Sequence, residues 1–158
     1  MVESFRHSWA SIDKLRVGRW GEQFVAMALT QRGFDTYVPA VDDRSVDLLV
    51  RAAVGTHRFI ELQVKTMRLD RWAYVFMRKR YFTPHADRYL SLVLLTEHEP
   101  DPSIYFIPSL VWQQPNLTFV SRDYEGKQSE PEYGINIARK RLDLLEPFRL
   151  SAGKPIAF

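Results

Sequence analysis

At 158 residues, with 46% hydrophobic and 26% charged residues, the chain has the length and composition of one soluble globular domain spanning 1–158. The absence of cysteine excludes disulfides and thiolate zinc sites and suits a reducing cytoplasm, the expected location. No apolar run approaches the ~20 residues that span a bilayer, the opening MVESFRHSW has no signal-peptide core, and a formal charge of +3 names no partner by itself.

Ser11 is expected to cap a helix running to about Arg32, with Gly33 as its stop and Trp20, Phe24, Met27 and Ala28 as its apolar stripe. Phe34 to Val38 reads as a short strand ended by Pro39 and the polar turn Asp42, Asp43, Arg44, Ser45. VDLLVR (46–51) and RFIELQVKT (58–66) read as two strands around a turn containing Gly55. WAYVFM (72–77) alternates like a strand, YLSLVLLTE (89–97) reads as a central one, and SIYFIP (103–108) as its antiparallel neighbour. A short helical turn through Trp112 and an edge strand NLTFVS (116–121) follow. RDYEGKQSEPEYG (122–134) reads as a loop and RKRLDLLEPF (139–148) as a closing helix. The order of elements implies a compact α/β or α+β domain.

Charge is unevenly spread. From Lys65 to Arg88, seven Lys/Arg stand against two Asp, a net of +5, which leaves −2 for the remainder. The same stretch holds Trp72, Tyr74, Phe76, Tyr81 and Phe82. Cations interleaved with aromatics suit a polyanion with stackable bases; they equally suit a solvated strand edge over core rings.

If the turn after VDLLVR centres on Gly55, antiparallel partners have numbers summing to 110, as in Leu48 with Leu62 or Asp47 with Gln63. One face then collects Leu48, Val50, Ile60, Leu62 and Val64, a core surface. The other collects Asp47, Glu61, Gln63 and Lys65 around Leu49. A one-residue slip would undo this sorting. A carboxylate beside a second oxygen donor can hold Mg²⁺, which takes one or two carboxylates and keeps several waters. A nearby ammonium can orient an attacking water and stabilise charge on a phosphate. The plainer alternative is an Asp47–Lys65 surface ion pair worth under ~1 kcal/mol.

A helix carrying Gly21-Glu22 in GRWGEQFVAMAL, Asp47 in SVDLLV and Gln63-Val64-Lys65 in IELQVKT together resemble the PD-(D/E)XK, or restriction-endonuclease-like, nuclease superfamily. The resemblance is carried by residues 15–66. It implies an α/β fold with a central mixed sheet of four or five strands flanked by helices. Asp47 would be the main ligand of Mg²⁺ or Mn²⁺, joined by the Gln63 side-chain oxygen and the Val64 carbonyl. Lys65 would position the water, and Glu22 matches the helix acid that reaches the site directly or through water. Two departures stand out: Val46 replaces the proline before Asp47, and Gln63 replaces the usual second acid. Gln63 removes one negative charge, so a weakened metal site is expected, with Glu61 as a candidate substitute ligand. Glu22 itself borders the apolar stripe, where it could instead pair with an arginine.

The resemblance implies an endonuclease that hydrolyses DNA, held by Arg68, Arg71, Arg78, Lys79 and Arg80 with Trp72 beside them. A small chain offers limited surface to duplex DNA, so a homodimer or homotetramer is expected by analogy. The alternatives are a nucleic-acid-binding module that has lost efficient cleavage, and an interaction domain with no nucleic-acid role. His7, His57, His85 and His98 show no metal-binding spacing, and only His85 is kept as a candidate phosphate contact. No Gly-rich phosphate loop or G-x-S-x-G elbow occurs.

Overall fold

A computed structural model describes residues 8–41, 44–97, 99–156 and 158. Asp42 and Asp43 of the expected turn, and His7 and His98, lie outside these residues.

Helix α1 (Lys14–Thr30) is capped by Asp13, whose side chain accepts the Arg16 amide at 3.0 Å, rather than by Ser11. It ends before Gly33, which takes φ +83, a conformation that favours glycine. Its buried residues are Val17, Gly21, Val25, Ala28 and Leu29, a helical repeat rotated from the expected stripe, so that Met27 is 57% exposed. Gly21 sets this rotation. A Cβ there would collide with the Thr66 side chain, so the helix approaches the sheet at that point through backbone.

Five strands, β1 (Thr36–Tyr37), β2 (Leu48–Arg51), β3 (Phe59–Arg68), β5 (Arg88–Leu95) and β6 (Ser103–Pro108), form a mixed sheet in the order β1-β2-β3-β5-β6. Only β3 and β5 run parallel, and between them the chain visits β4 (Trp72–Arg78). Parallel neighbours require a long crossover, usually helical; here the crossover is itself a strand of a second sheet. That sheet holds β4, β8 (Glu132–Ala138) and β7 (Phe119–Arg122) in the order β4-β8-β7, all antiparallel. The main sheet is therefore five-stranded and mixed, with the helix on one face and the second sheet, instead of more helix, on the other.

Side-chain alternation sorts two cores. Leu48, Val50, Ile60, Leu62 and Val64 face α1 together with Val93 and Leu95. Leu90, Leu92 and Leu94 face the second sheet, where they meet Ala73, Val75, Met77, Ile135 and Ile137. Strand β5 is buried on both faces, which is why its sequence is nearly unbroken apolar. Trp112 closes this second core, donating its indole N–H to the Gly134 carbonyl at 2.9 Å.

The first three residues of β8, Glu132 to Gly134, fall in the stretch 122–134 expected to be a loop. Tyr133, Ile135 and Ile137 do alternate inward, but Glu132 and Gly134 mask the pattern. Gly134 is there because the Tyr74 ring lies over it, leaving no room for a Cβ. The closing segment Arg139–Phe148 forms 3-10 turns broken at Arg141 rather than an α-helix; Pro147 lies inside it, and only Leu145 is fully buried.

Candidate active site

The β2–β3 hairpin pairs Leu48 with Leu62, Leu49 with Glu61, Val50 with Ile60 and Arg51 with Phe59, each pair summing to 110 as expected. The expected Asp47–Gln63 pair does not form. The Asp47 amide donates instead to the Leu62 carbonyl at 2.9 Å, and its Oδ2 accepts the Val64 amide at 2.6 Å. A side chain thus takes over the ladder where β2 leaves β3. Two residues earlier Ser45 takes φ +53, uncommon for a non-glycine residue, as the chain turns into the strand.

In a strand, the N–H and C=O of one residue point to the same edge. The Val64 carbonyl therefore points to the edge that β2 has vacated, beside the Asp47 carboxylate. On either side of Val64 stand the other two motif residues. Gln63 is buried at 8% exposure, and its Oε1 has no hydrogen-bond partner. A buried acceptor left without a donor costs about 1–3 kcal/mol, so this oxygen is suited to a group that the protein alone does not supply. Lys65 is half-buried and makes no ion pair or side-chain hydrogen bond with a described residue.

Glu22 follows Gly21, the residue seated on Thr66 of β3. Glu22 and Asp47 line one groove of 610 Å³ with Lys14, Arg16, Arg19 and Val46. Within it, Arg19 donates to Glu22 Oε2 at 2.6 Å. Among the described residues, no three His, Cys, Asp or Glu side chains converge as a metal cluster. The motif residues Asp47, Gln63 and Val64 offer instead one carboxylate, one amide oxygen and one backbone carbonyl. That set suits Mg²⁺, which takes few carboxylates and retains water.

Other expected site residues are engaged elsewhere. Glu61 is held by Arg88, which donates to Oε2 from Nε at 2.9 Å and also from Nη2, with His85 Nε2 3.4 Å away. His85 Nδ1 accepts the Asp87 amide at 3.2 Å, and both its backbone groups bond Ser109 Oγ. The neutral ring then carries its proton on Nε2, facing Glu61. The Arg68 guanidinium donates to the Ile12 carbonyl and anchors the segment before α1. Lys79 is fixed by Ser121 at 2.7 Å and Asp123 at 2.6 Å. Arg78 and Arg80 share Glu130, at 3.4 and 3.1 Å. Arg71 and Trp72 are exposed. Arg88, Arg139, Lys140 and Arg141 carry no motif signal in the sequence, and the last three lie in the stretch 139–148 expected to be a helix.

The fold is restriction-endonuclease-like. It is similar to that of a bacterial homing endonuclease, I-Ssp6803I, with a TM-score of 0.55 at 17% identity over 87% of this chain and 86% of that one. The Holliday junction resolvase Hjc from Archaeoglobus fulgidus gives a TM-score of 0.41 at 12% identity, over 82% of this chain and 94% of that one. No protein-family model and no curated protein matches the sequence. Among the described residues, no helix is long and apolar enough to cross a membrane.

Proposed function

We propose that this chain is an endonuclease that hydrolyses DNA phosphodiester bonds with the help of Mg²⁺ or Mn²⁺. The observation that carries the reading is the Asp47–Val64 contact at 2.6 Å, flanked by the unpartnered Gln63 oxygen and by Lys65, which makes no ion pair with a described residue. The Asp47 carboxylate, Gln63 Oε1 and the Val64 carbonyl would hold the cation. When bound, such a cation polarises the phosphate and favours ionisation of water.

The protein's own contribution is positioning and charge. Lys65 has no partner to surrender among the described residues, so its ammonium would orient water and face charge building on the phosphate. Hydrolysis joins the water oxygen to phosphorus and breaks one phosphate–sugar P–O bond. Glu22, held by Arg19, adds a second carboxylate to the same groove. Glu61 is left out of the ligand set because Arg88 holds it. The chain would act as a single domain, as a homodimer or homotetramer.

One observation favours a second reading, a nucleic-acid-binding module with weak or no cleavage. Gln63 is neutral and Glu22 already has a cationic partner, so the motif residues offer little negative charge for a metal. A nicking assay on supercoiled and branched DNA with Mg²⁺ or Mn²⁺ separates the two. The nuclease reading expects nicking that Asp47→Ala and Lys65→Ala each reduce by at least about 100-fold, the scale of a lost transition-state contact. Intact DNA at high protein concentration would leave only the binding module. Equal cutting by both variants would mean that the site is elsewhere.

A further inference from the structure

The outward face of the second sheet is not used by the site described above. On β4 the residues pointing away from the core are Trp72, Tyr74 and Phe76, each two positions apart. They form one row about 13 Å long at the ~3.3 Å rise of a strand. Trp72 is 75% exposed and Phe76 46%. Tyr74 is fixed between them: it stacks on Phe76 with ring centroids 6.3 Å apart, and its hydroxyl donates to Glu132 at 2.6 Å.

The two ends of this row differ in charge. At the Phe76 end Arg78, Lys79 and Arg80 are each paired with Glu130 or Asp123. At the Trp72 end, Trp72 pairs with Ala138, and the Arg139 amide donates to the Arg71 carbonyl at 3.0 Å. Arg139, which opens the run Arg139, Lys140, Arg141, is thereby set beside Arg71. All four cations are exposed, and none has an ion pair or side-chain hydrogen bond with a described residue. The break in the 3-10 segment at Arg141, φ −133, falls within this run.

We propose that this face binds an unpaired nucleic-acid strand, with phosphates on Arg71, Arg139, Lys140 and Arg141 and bases stacked on Trp72 and Phe76. The cations select a polyanion. The rings select one whose base faces are open, because a duplex keeps those faces inside its own stack. A second copy of the chain is a poorer occupant, since pairing the row with itself brings uncompensated like charges together. The proposal takes from the nuclease reading only the choice of nucleic acid as ligand; it drops Arg68, which Ile12 holds, and moves the expected contacts from Arg78, Lys79 and Arg80 to the opposite end of β4.

The test is fluorescence anisotropy of a labelled 20-nucleotide dT strand and of a 20-base-pair duplex, in EDTA so that cleavage does not enter. The parent should bind the single strand more tightly than the duplex. Trp72→Ala should weaken single-strand binding about tenfold, within the usual range for one stacked base, while Trp72→Phe recovers most of it. Arg139→Ser with Lys140→Ser and Arg141→Ser should lower the slope of log affinity against log salt by about 2, at ~0.7 per phosphate contact. Arg78→Ser with Arg80→Ser should change neither. Unchanged binding in the Trp72 and 139–141 variants overturns the proposal. So does duplex binding as tight as single-strand binding, a self-association lost in Trp72→Ala with no oligonucleotide binding, or binding to phosphatidylserine vesicles alone. A chain that binds dT but never cuts DNA in Mg²⁺ removes the nuclease reading and keeps this one. A chain that cuts DNA yet binds dT equally after these substitutions does the reverse.

Discussion

The Asp47 carboxylate accepts the Val64 amide at 2.6 Å, just beyond Leu48–Leu62, the last pair at that end of the β2–β3 hairpin. Asp47 therefore has two separable tasks: closing the ladder, which needs an acceptor, and holding a cation, which needs a charge. Asp47→Asn keeps an oxygen for the Val64 amide and should unfold in urea close to the parent. Asp47→Ala strands that amide and should lose about 1–3 kcal/mol. Nicking should disappear in both. Full nicking by Asp47→Asn would remove the carboxylate from the metal site.

Gln63 allows a test that does not depend on activity. Gln63→Glu places an ionisable group in a buried position, where desolvation raises its pKa. The folded state then holds a proton that the unfolded chain has lost, so stability should fall as pH rises above about 4.3, the ordinary glutamate value. Saturating Mg²⁺ should restore it, by about 2.7 kcal/mol at a hundred times the dissociation constant. Thermal melts at pH 8 with EDTA or Mg²⁺ read this directly. A melting temperature that ignores Mg²⁺ would show that Gln63 does not face a cation.

Gly21 and Thr66 set the helix on the sheet. Helix propensity alone favours alanine over glycine by about 1 kcal/mol, so Gly21→Ala would stabilise an unobstructed helix. Here it should destabilise by about 1–3 kcal/mol through overpacking. Adding Thr66→Ala should recover part of the loss, since the hydroxyl is the nearest obstruction. The comparison is a double-mutant cycle by urea unfolding, and additive effects would mean that the two positions do not meet.

Tyr74 should shape the alkaline limb of stability. Burial first, then the hydrogen bond to Glu132 and its charge, push the Tyr74 phenol well above its ordinary value. Above about pH 10 an unfolded tyrosine loses its proton while the folded one keeps it, so stability falls as pH rises further. Burial raises Tyr89 and Tyr105 in the same direction. Tyr74→Phe should flatten part of this decline in chemical denaturation between pH 9 and pH 11. At neutral pH it should cost only about 1 kcal/mol, because Tyr124 still donates to Glu132 at 2.8 Å.

The local pattern of the sequence determined the hairpin. Period-two alternation and the turn at Gly55 were enough to place Leu48 against Leu62 and to send Val64 to the core, because a strand has only two faces. The near-continuous apolar run of β5 likewise marked it as central. Local pattern could not decide what β3 carries where its partner departs. Asp47 caps the Val64 amide only because β2 leaves the sheet there, and Glu61, on the same strand face as Gln63, is drawn to Arg88 of the parallel neighbour. Neither fact is written within reach of the residues it concerns. The basic stretch likewise divides: folding pairs Arg78, Lys79 and Arg80 with Glu130 and Asp123, acids 44 to 52 positions away, and sets Arg71 beside Arg139. Charge in a sequence is a count. Which charges remain uncompensated is decided by long-range pairing, which only the tertiary structure supplies.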